Sequence, residues 1–140
     1  MNTELSLVLD LALARTLVTR DVDYALGAHH GLGLNDFALL LELRSEPQGK
    51  MRRVELANRL GVTTSGVARQ LAPLERRKIV TRESNPTDAR LALVVLTEAG
   101  AKLLDEALAT ATEDAERVLG KYWSPVERRR LGKLLGAVRS

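Results

Sequence analysis

The hydrophobic period of this chain switches once, between Val54 and Thr97, and that switch limits what it can fold into. Up to Arg77 the apolar residues recur at helical intervals: Leu56, Ala57 and Leu60, then, after Gly61, Val67, Leu71 and Leu74. Beyond that point two short strand-like runs follow, residues 79–83 and 91–96, separated by the loop formers Asn85, Pro86, Thr87 and Asp88. Two short helices joined by a Gly-containing turn and followed by a hairpin make a winged helix-turn-helix. That arrangement offers DNA a helix for the major groove and a loop for the minor groove or the backbone.

The flanking sequence is helical. Residues 4–28 carry Leu5, Val8, Leu9, Ala12, Val18, Val22, Ala25 and Leu26, with Leu7, Leu11 and Ala14 on a neighbouring stripe. A helix apolar over more than one stripe is covered on more than one side, and in a chain of 140 residues a second subunit is the obvious cover. Gly27, Gly31 and Gly33 punctuate a turn that carries His29 and His30. Asn35 is the expected N-cap of a helix reaching about Arg44, with Phe37, Leu40, Leu41 and Leu43 turned inward, and residues 46–49 end it. Residues 50–53 read as a short extended segment and 54–60 as the first helix of the motif. Gly61 supplies the tight turn and Val62 packs beneath it.

Thr63 or Thr64 caps the second helix of the motif, which reaches about Arg77. Pro73 removes one backbone bond and predicts a bend or a weakening there. Thr97 caps a helix from Glu98 to about Gly120. Ser124, Pro125 and Glu127 start a last helix with Leu131, Leu134, Leu135 and Val138 on one side. The expected fold is mainly α with a small β-hairpin wing. Residues 1–34 form an N-terminal dimerisation helix and turn, 35–97 the winged domain, and 98–140 the C-terminal dimerisation helices.

Charge sharpens the reading. The net charge of +3 is unevenly spread: residues 50–90 hold ten basic and four acidic side chains, a net of +6 that leaves −3 for the rest. Positive charge thus gathers on the motif, as a polyanionic partner requires. Aromatic residues are only 3% of the chain, too few for platforms that stack single-stranded bases. The absence of cysteine excludes disulfides, Cys-ligated zinc and thiol redox sensing. The N-terminus lacks the basic stretch of a secretory signal, and Asp10, Arg15, Arg20 and Asp21 interrupt any membrane-length apolar run, so a cytoplasmic protein without membrane contact is expected. Neither a P-loop nor a dinucleotide fingerprint is present, and His29 and His30 lack partners for acid–base chemistry or a metal site. No enzyme, cofactor or metal is expected.

Within the motif, Thr63, Thr64 and Ser65 place hydroxyls at a helix N-terminus, where the dipole favours phosphate, although capping accounts for one of them. Gly66 permits close approach of the backbone. Arg69 and Gln70 are the expected base readers, since Arg suits guanine and Gln suits adenine. Arg52, Arg53, Arg76, Arg77 and Arg82 are expected to neutralise phosphates.

The order of these elements resembles the MarR family of bacterial transcriptional regulators over nearly the whole chain. The most specific match is Asp88-Ala89-Arg90 before a hydrophobic strand that ends in Leu96-Thr97-x-x-Gly100. The segments 56–62 and 65–75 are also family-like. The resemblance implies that Asp88 braces Arg90, that Arg90 enters the minor groove, and that the terminal helices interlock two subunits on a near-palindromic operator in double-stranded DNA. It also implies a small-molecule effector, aromatic or anionic, held between the helical arms and the winged domain, with Phe37 and the turn 27–33 as candidate lining. One position departs from the pattern: Lys78 stands where the family often has Gly, in a place suited to a left-handed backbone. The alternatives are a winged helix that binds protein, and an architectural DNA-binding protein without sequence preference.

Overall fold

The computed structural model describes residues 1–139, so Ser140, the last residue of the expected C-terminal region, lies outside the described residues. The order of elements is α1 (Thr3–His30), α2 (Leu34–Ser45), β1 (Lys50–Arg52), α3 (Arg53–Leu60), α4 (Thr64–Arg76), β2 (Val80–Glu83), a 3-10 turn (Ala89–Leu91), β3 (Leu93–Leu96), α5 (Glu98–Gly120) and α6 (Pro125–Arg139).

Helix α1 runs past Gly27, which an α-helix tolerates, and stops at Gly31, whose φ of 65° puts it in the left-handed region. His29 and His30 therefore belong to the last turn of α1 and not to a loop. Asn35 does not cap α2: the N-cap is Gly33. Two aspartates take up orphan amides at this end, Asp36 Oδ2 accepting from Gly33 N at 3.1 Å and Asp23 Oδ1 from Leu34 N at 2.8 Å. Thr97 and Ser124 cap α5 and α6 as their sequences predict. Thr97 Oγ1 accepts from Gly100 N, while Ser124 and Glu127 exchange reciprocal bonds of 2.9 and 3.2 Å.

The expected two-stranded hairpin is part of a three-stranded antiparallel sheet of order β1-β3-β2. Met51 pairs with Val94 and Val80 with Leu96, and Met51, Val80 and Val94 are buried. β3 is the central strand, yet only Val94 of its residues is buried, and the apolar run of residues 91–96 begins in the 3-10 turn outside the strand. Around this sheet Leu39, Leu40, Leu43, Leu56, Val67, Leu71, Leu74, Ile79 and Leu104 form an aliphatic core. Val62 is not beneath the turn as expected: its amide closes the turn onto Ala57 O at 3.0 Å, but its side chain is exposed. Helix α1 packs chiefly on α5, yet of its residues only Val22 and Leu26 are buried, and α6 buries none among its described residues.

Candidate nucleic-acid interface

Helix α4 presents one face to the core through Val67, Leu71 and Leu74, and the opposite face carries Ser65, Arg69 and Arg76, all exposed. The helix continues through Pro73 to Arg76, so the expected weakening does not shorten it. Thr63, not Thr64, is the cap, its hydroxyl accepting from Gly66 N at 3.0 Å. Thr64 and Ser65 remain exposed in a first turn without acidic residues, which leaves the positive end of the helix dipole open to an anion. A Cβ on Gly66 would sit 3.0 Å from the Thr63 hydroxyl, so glycine here leaves room for the cap. Gln70, also expected to read bases, has a partner within the chain. It lies between Val67 and Leu74 on the flank of the helix, is half-buried, and donates through Nε2 to Asp36 Oδ1 at 3.2 Å. The outer face of α4 therefore presents Ser65, Arg69 and Arg76, with Gln70 held against α2.

The wing is built as a relay. Asn85 Oδ1 accepts from the backbone amides of Thr87 and Asp88, both at 3.0 Å, and from the Thr87 hydroxyl at 2.8 Å. Asp88 Oδ1 then accepts from Arg90 N and Arg90 Nε, both at 3.0 Å, and Asp88 Oδ2 from Arg90 Nη2 at 2.9 Å. The Arg90 guanidinium, followed by the Arg90 amide, holds the Asp88 carboxyl below its ordinary pKa. The Arg90 side chain is nevertheless 90% exposed, so the fork is oriented without being consumed. Asn85, read from sequence only as a loop former, is the base of this relay; an Asn three residues before an aspartate is the signal that marks it.

Arg52, Arg53, Arg82, Arg90, Thr64 and Asn85 line one groove of about 690 Å³ between the wing and the first turn of α4. The positive charge of residues 50–90 is not all offered there. Arg59 is bound by Glu46 at 2.5 Å and Glu55 at 3.2 Å, Lys50 by Glu83 at 2.7 Å, and Arg82 by Glu75 at 3.4 Å. Arg77, expected to neutralise phosphate, donates to Gly31 O at 2.7 Å and His30 O at 3.3 Å at the end of α1. Among the described residues Arg52, Arg53, Arg69 and Arg76 carry no ion pair and face solvent wholly or in part.

A second feature lies away from this face. Phe37, Val22, Leu34, Leu108, Ala111 and Val118 line a cavity of about 340 Å³ between α1, α2 and α5. Phe37 is both core and cavity wall, whereas residues 27–33, also expected to line a ligand space, do not reach it.

Comparison with known proteins agrees with this geometry. The MarR family model matches residues 30–91. The HTH-type transcriptional regulator YxaD of Bacillus subtilis is 36% identical over 87 residues, which are 62% of this chain and 60% of YxaD. The matched region thus spans three fifths of that relative's length. Among solved structures, the MarR family regulator Sco3205 of Streptomyces coelicolor, in complex with DNA, superposes with a TM-score of 0.84 at 26% identity, covering 99% of this chain and 87% of Sco3205. A mutant of MarR from E. coli, complexed with operator DNA, gives 0.82 at 25% identity over 96% of this chain and 94% of its own. The chain thus carries a match to the MarR family model over residues 30–91 and superposes over nearly its whole length on MarR family regulators solved with DNA.

Proposed function

We propose that the protein is a sequence-specific, DNA-binding transcriptional regulator that occupies a near-palindromic operator as a homodimer. The observation that carries this reading is the convergence of Arg52, Arg53 and Arg90 on one groove beside the open N-terminus of α4. Phosphate neutralisation by Arg52, Arg53 and Arg76 supplies affinity, and Ser65 and Arg69 on the outer face of α4 read base edges. Thr64 meets a phosphate at the helix N-terminus, and Arg90, oriented by Asp88, enters the minor groove, where a weakly hydrated guanidinium suits the negative potential.

The homodimer follows from apolar surface that the single chain leaves uncovered. On α1, Leu5, Leu7, Val8, Leu9, Leu11 and Leu13 are each about half exposed, and on α6 Leu134 and Val138 are more so. Residues 1–34 and 98–140 then serve as dimerisation arms and 35–97 as the DNA-binding domain. Two α4 helices related by a two-fold axis and spaced by about 34–36 Å read successive major grooves. The cavity beside Phe37 is the place for a small-molecule effector. A cytoplasmic location fits this role, and among the described residues no helix is long and apolar enough to cross a membrane.

The test is a titration of duplexes selected from a random pool against a scrambled duplex, at several salt concentrations. A specific regulator gives a steep fall of log K with log salt and a large preference for the selected site. A steep fall without preference identifies an architectural binder. The absence of any DNA binding leaves the protein-interaction module.

A further inference from the structure

Gln70 of α4 and Arg77, the residue that caps it, both reach back to the junction of α1 and α2. Gln70 and Arg77 are separated by two helical turns, which puts them on one flank of the helix. Gln70 Nε2 donates to Asp36 Oδ1 at 3.2 Å, and the other oxygen of Asp36 accepts from Gly33 N at 3.1 Å. Arg77 Nη1 donates to Gly31 O at 2.7 Å and Nη2 to His30 O at 3.3 Å. The two contacts thus grip residues 30–36 from either side. The turn they grip is itself anchored to α5, since the His30 ring is 2.7 Å from Thr110 Oγ1. A Cβ on Gly31 would lie 3.3 Å from Arg77 Nη2, so the glycine that ends α1 also leaves space for the guanidinium. A cation on the last carbonyls of α1 is the favourable sign for a helix C-terminus.

Resting on the DNA-binding reading, we infer that Arg77 and the Gln70–Asp36 pair are positioning residues for operator recognition. They set the angle of α4 relative to the α1–α2 turn, and hence to the arms that fix where a second α4 lies. A misplaced helix loses base contacts, which need hydrogen-bond geometry, but keeps most of its attraction to phosphates, which depends on charge. Positioning residues therefore govern the ratio of specific to non-specific affinity.

The experiment uses the full chain, a duplex selected from a random pool by the wild-type protein, and a scrambled duplex of the same length. Arg77→Ala is expected to lower affinity for the selected duplex by about tenfold, to change that for the scrambled duplex by less than about twofold, and to leave the salt slope unaltered. Arg77→Lys keeps the charge but not the two-pronged donor and restores only part of the loss. Asp36→Ala supplies an opposite-sign test that does not depend on the Arg77 variants folding. Removing an acid raises affinity for a polyanion if charge alone acts, whereas loss of positioning weakens binding to the selected duplex. The inference is overturned if Arg77→Ala weakens both duplexes equally with a shallower salt slope, if Lys restores full affinity, or if Asp36→Ala binds the selected duplex more tightly. A wild-type protein that shows no preference between the duplexes overturns the DNA-binding reading itself, and this inference with it.

Discussion

Asp88 holds Arg90 through both carboxylate oxygens while leaving the guanidinium at the tip of the wing 90% exposed. An exposed pair of this kind adds little to folding, so its value lies in orientation. Arg90→Ala is expected to weaken operator binding by about tenfold or more with the thermal transition unchanged. Asp88→Ala, which keeps the cation but frees it to rotate, is expected to cost less, about threefold to tenfold. A fluorescence anisotropy titration of each variant checks the order. Equal binding by Arg90→Ala and wild type removes the wing from the mechanism.

The same pair sets a pH dependence. Asp88 is held below the ordinary aspartate value of 3.8, first by the Arg90 side chain and then by its amide. A depressed folded-state pKa means that the contribution is present above the unfolded value and lost as pH falls through the folded one. Wing geometry is therefore expected to be constant from about pH 8 to about pH 5 and to fail only under stronger acid. The Asp88 carboxyl resonance followed by NMR checks this; a titration midpoint at or above 3.8 contradicts it.

Lys78 is the only non-glycine residue with positive φ among the described residues, at 60°. It closes α4 in a Schellman-like turn, with Lys78 N on Glu75 O and Ile79 N on Leu74 O, both at 3.0 Å. The backbone thus takes the left-handed path even though glycine is absent. A side chain in that region costs about 1–2 kcal/mol, and glycine returns part of this gain through the entropy of its unfolded chain. Lys78→Gly is expected to stabilise the fold by about 0.5–1 kcal/mol, read as a higher urea midpoint at constant slope.

Gly100 is required for a different reason. A Cβ there would lie 2.1 Å from Ile79 O and 2.9 Å from Leu96 Cδ1, and the first of these is backbone that cannot step aside. Thr97 completes the arrangement: its hydroxyl donates toward Lys78 O and Ile79 O, at 2.7 and 2.9 Å, and accepts from Gly100 N at 2.9 Å. The Leu-Thr-x-x-Gly pattern is therefore a clamp that seats α5 on the residues after α4. Gly100→Ala is expected to destabilise by more than about 2 kcal/mol. A denaturation midpoint equal to that of wild type would show that the clamp gives way.

What could be read from sequence was local. Thr97 and Ser124 cap their helices because the partners lie within three residues, and Asp88 braces Arg90 two residues away. What was missed is long-range or rests on competition between neighbours. Gln70 looks like any polar helix residue, and only the fold brings Asp36, 34 positions earlier, beside it. Arg77 reaches Gly31 across 46 positions, a contact that its place in the sequence does not announce. Gly27 reads in sequence as part of a turn, but helix packing overrides its weak propensity and the break falls at Gly31. Residues 50–52 are too few to announce their pairing with β3.

The apolar faces of the arms give the last prediction. Leu7, Leu11, Trp123, Leu131 and Leu135 line a groove of about 500 Å³ between α1, the end of α5 and α6. Leu7 and Leu11 are 57% and 48% exposed in the single chain, so charging them removes nothing from its own core. In a two-fold dimer each substitution acts twice, and each leucine fully buried at the interface is worth about 1.5–3 kcal/mol. Wild type is expected to sediment as a dimer and the double variant Leu7→Asp, Leu11→Asp as a monomer of unchanged helix content. Operator affinity should fall far more steeply than affinity for a scrambled duplex, since one protomer spans one half-site. A double variant that remains dimeric would move the interface away from α1.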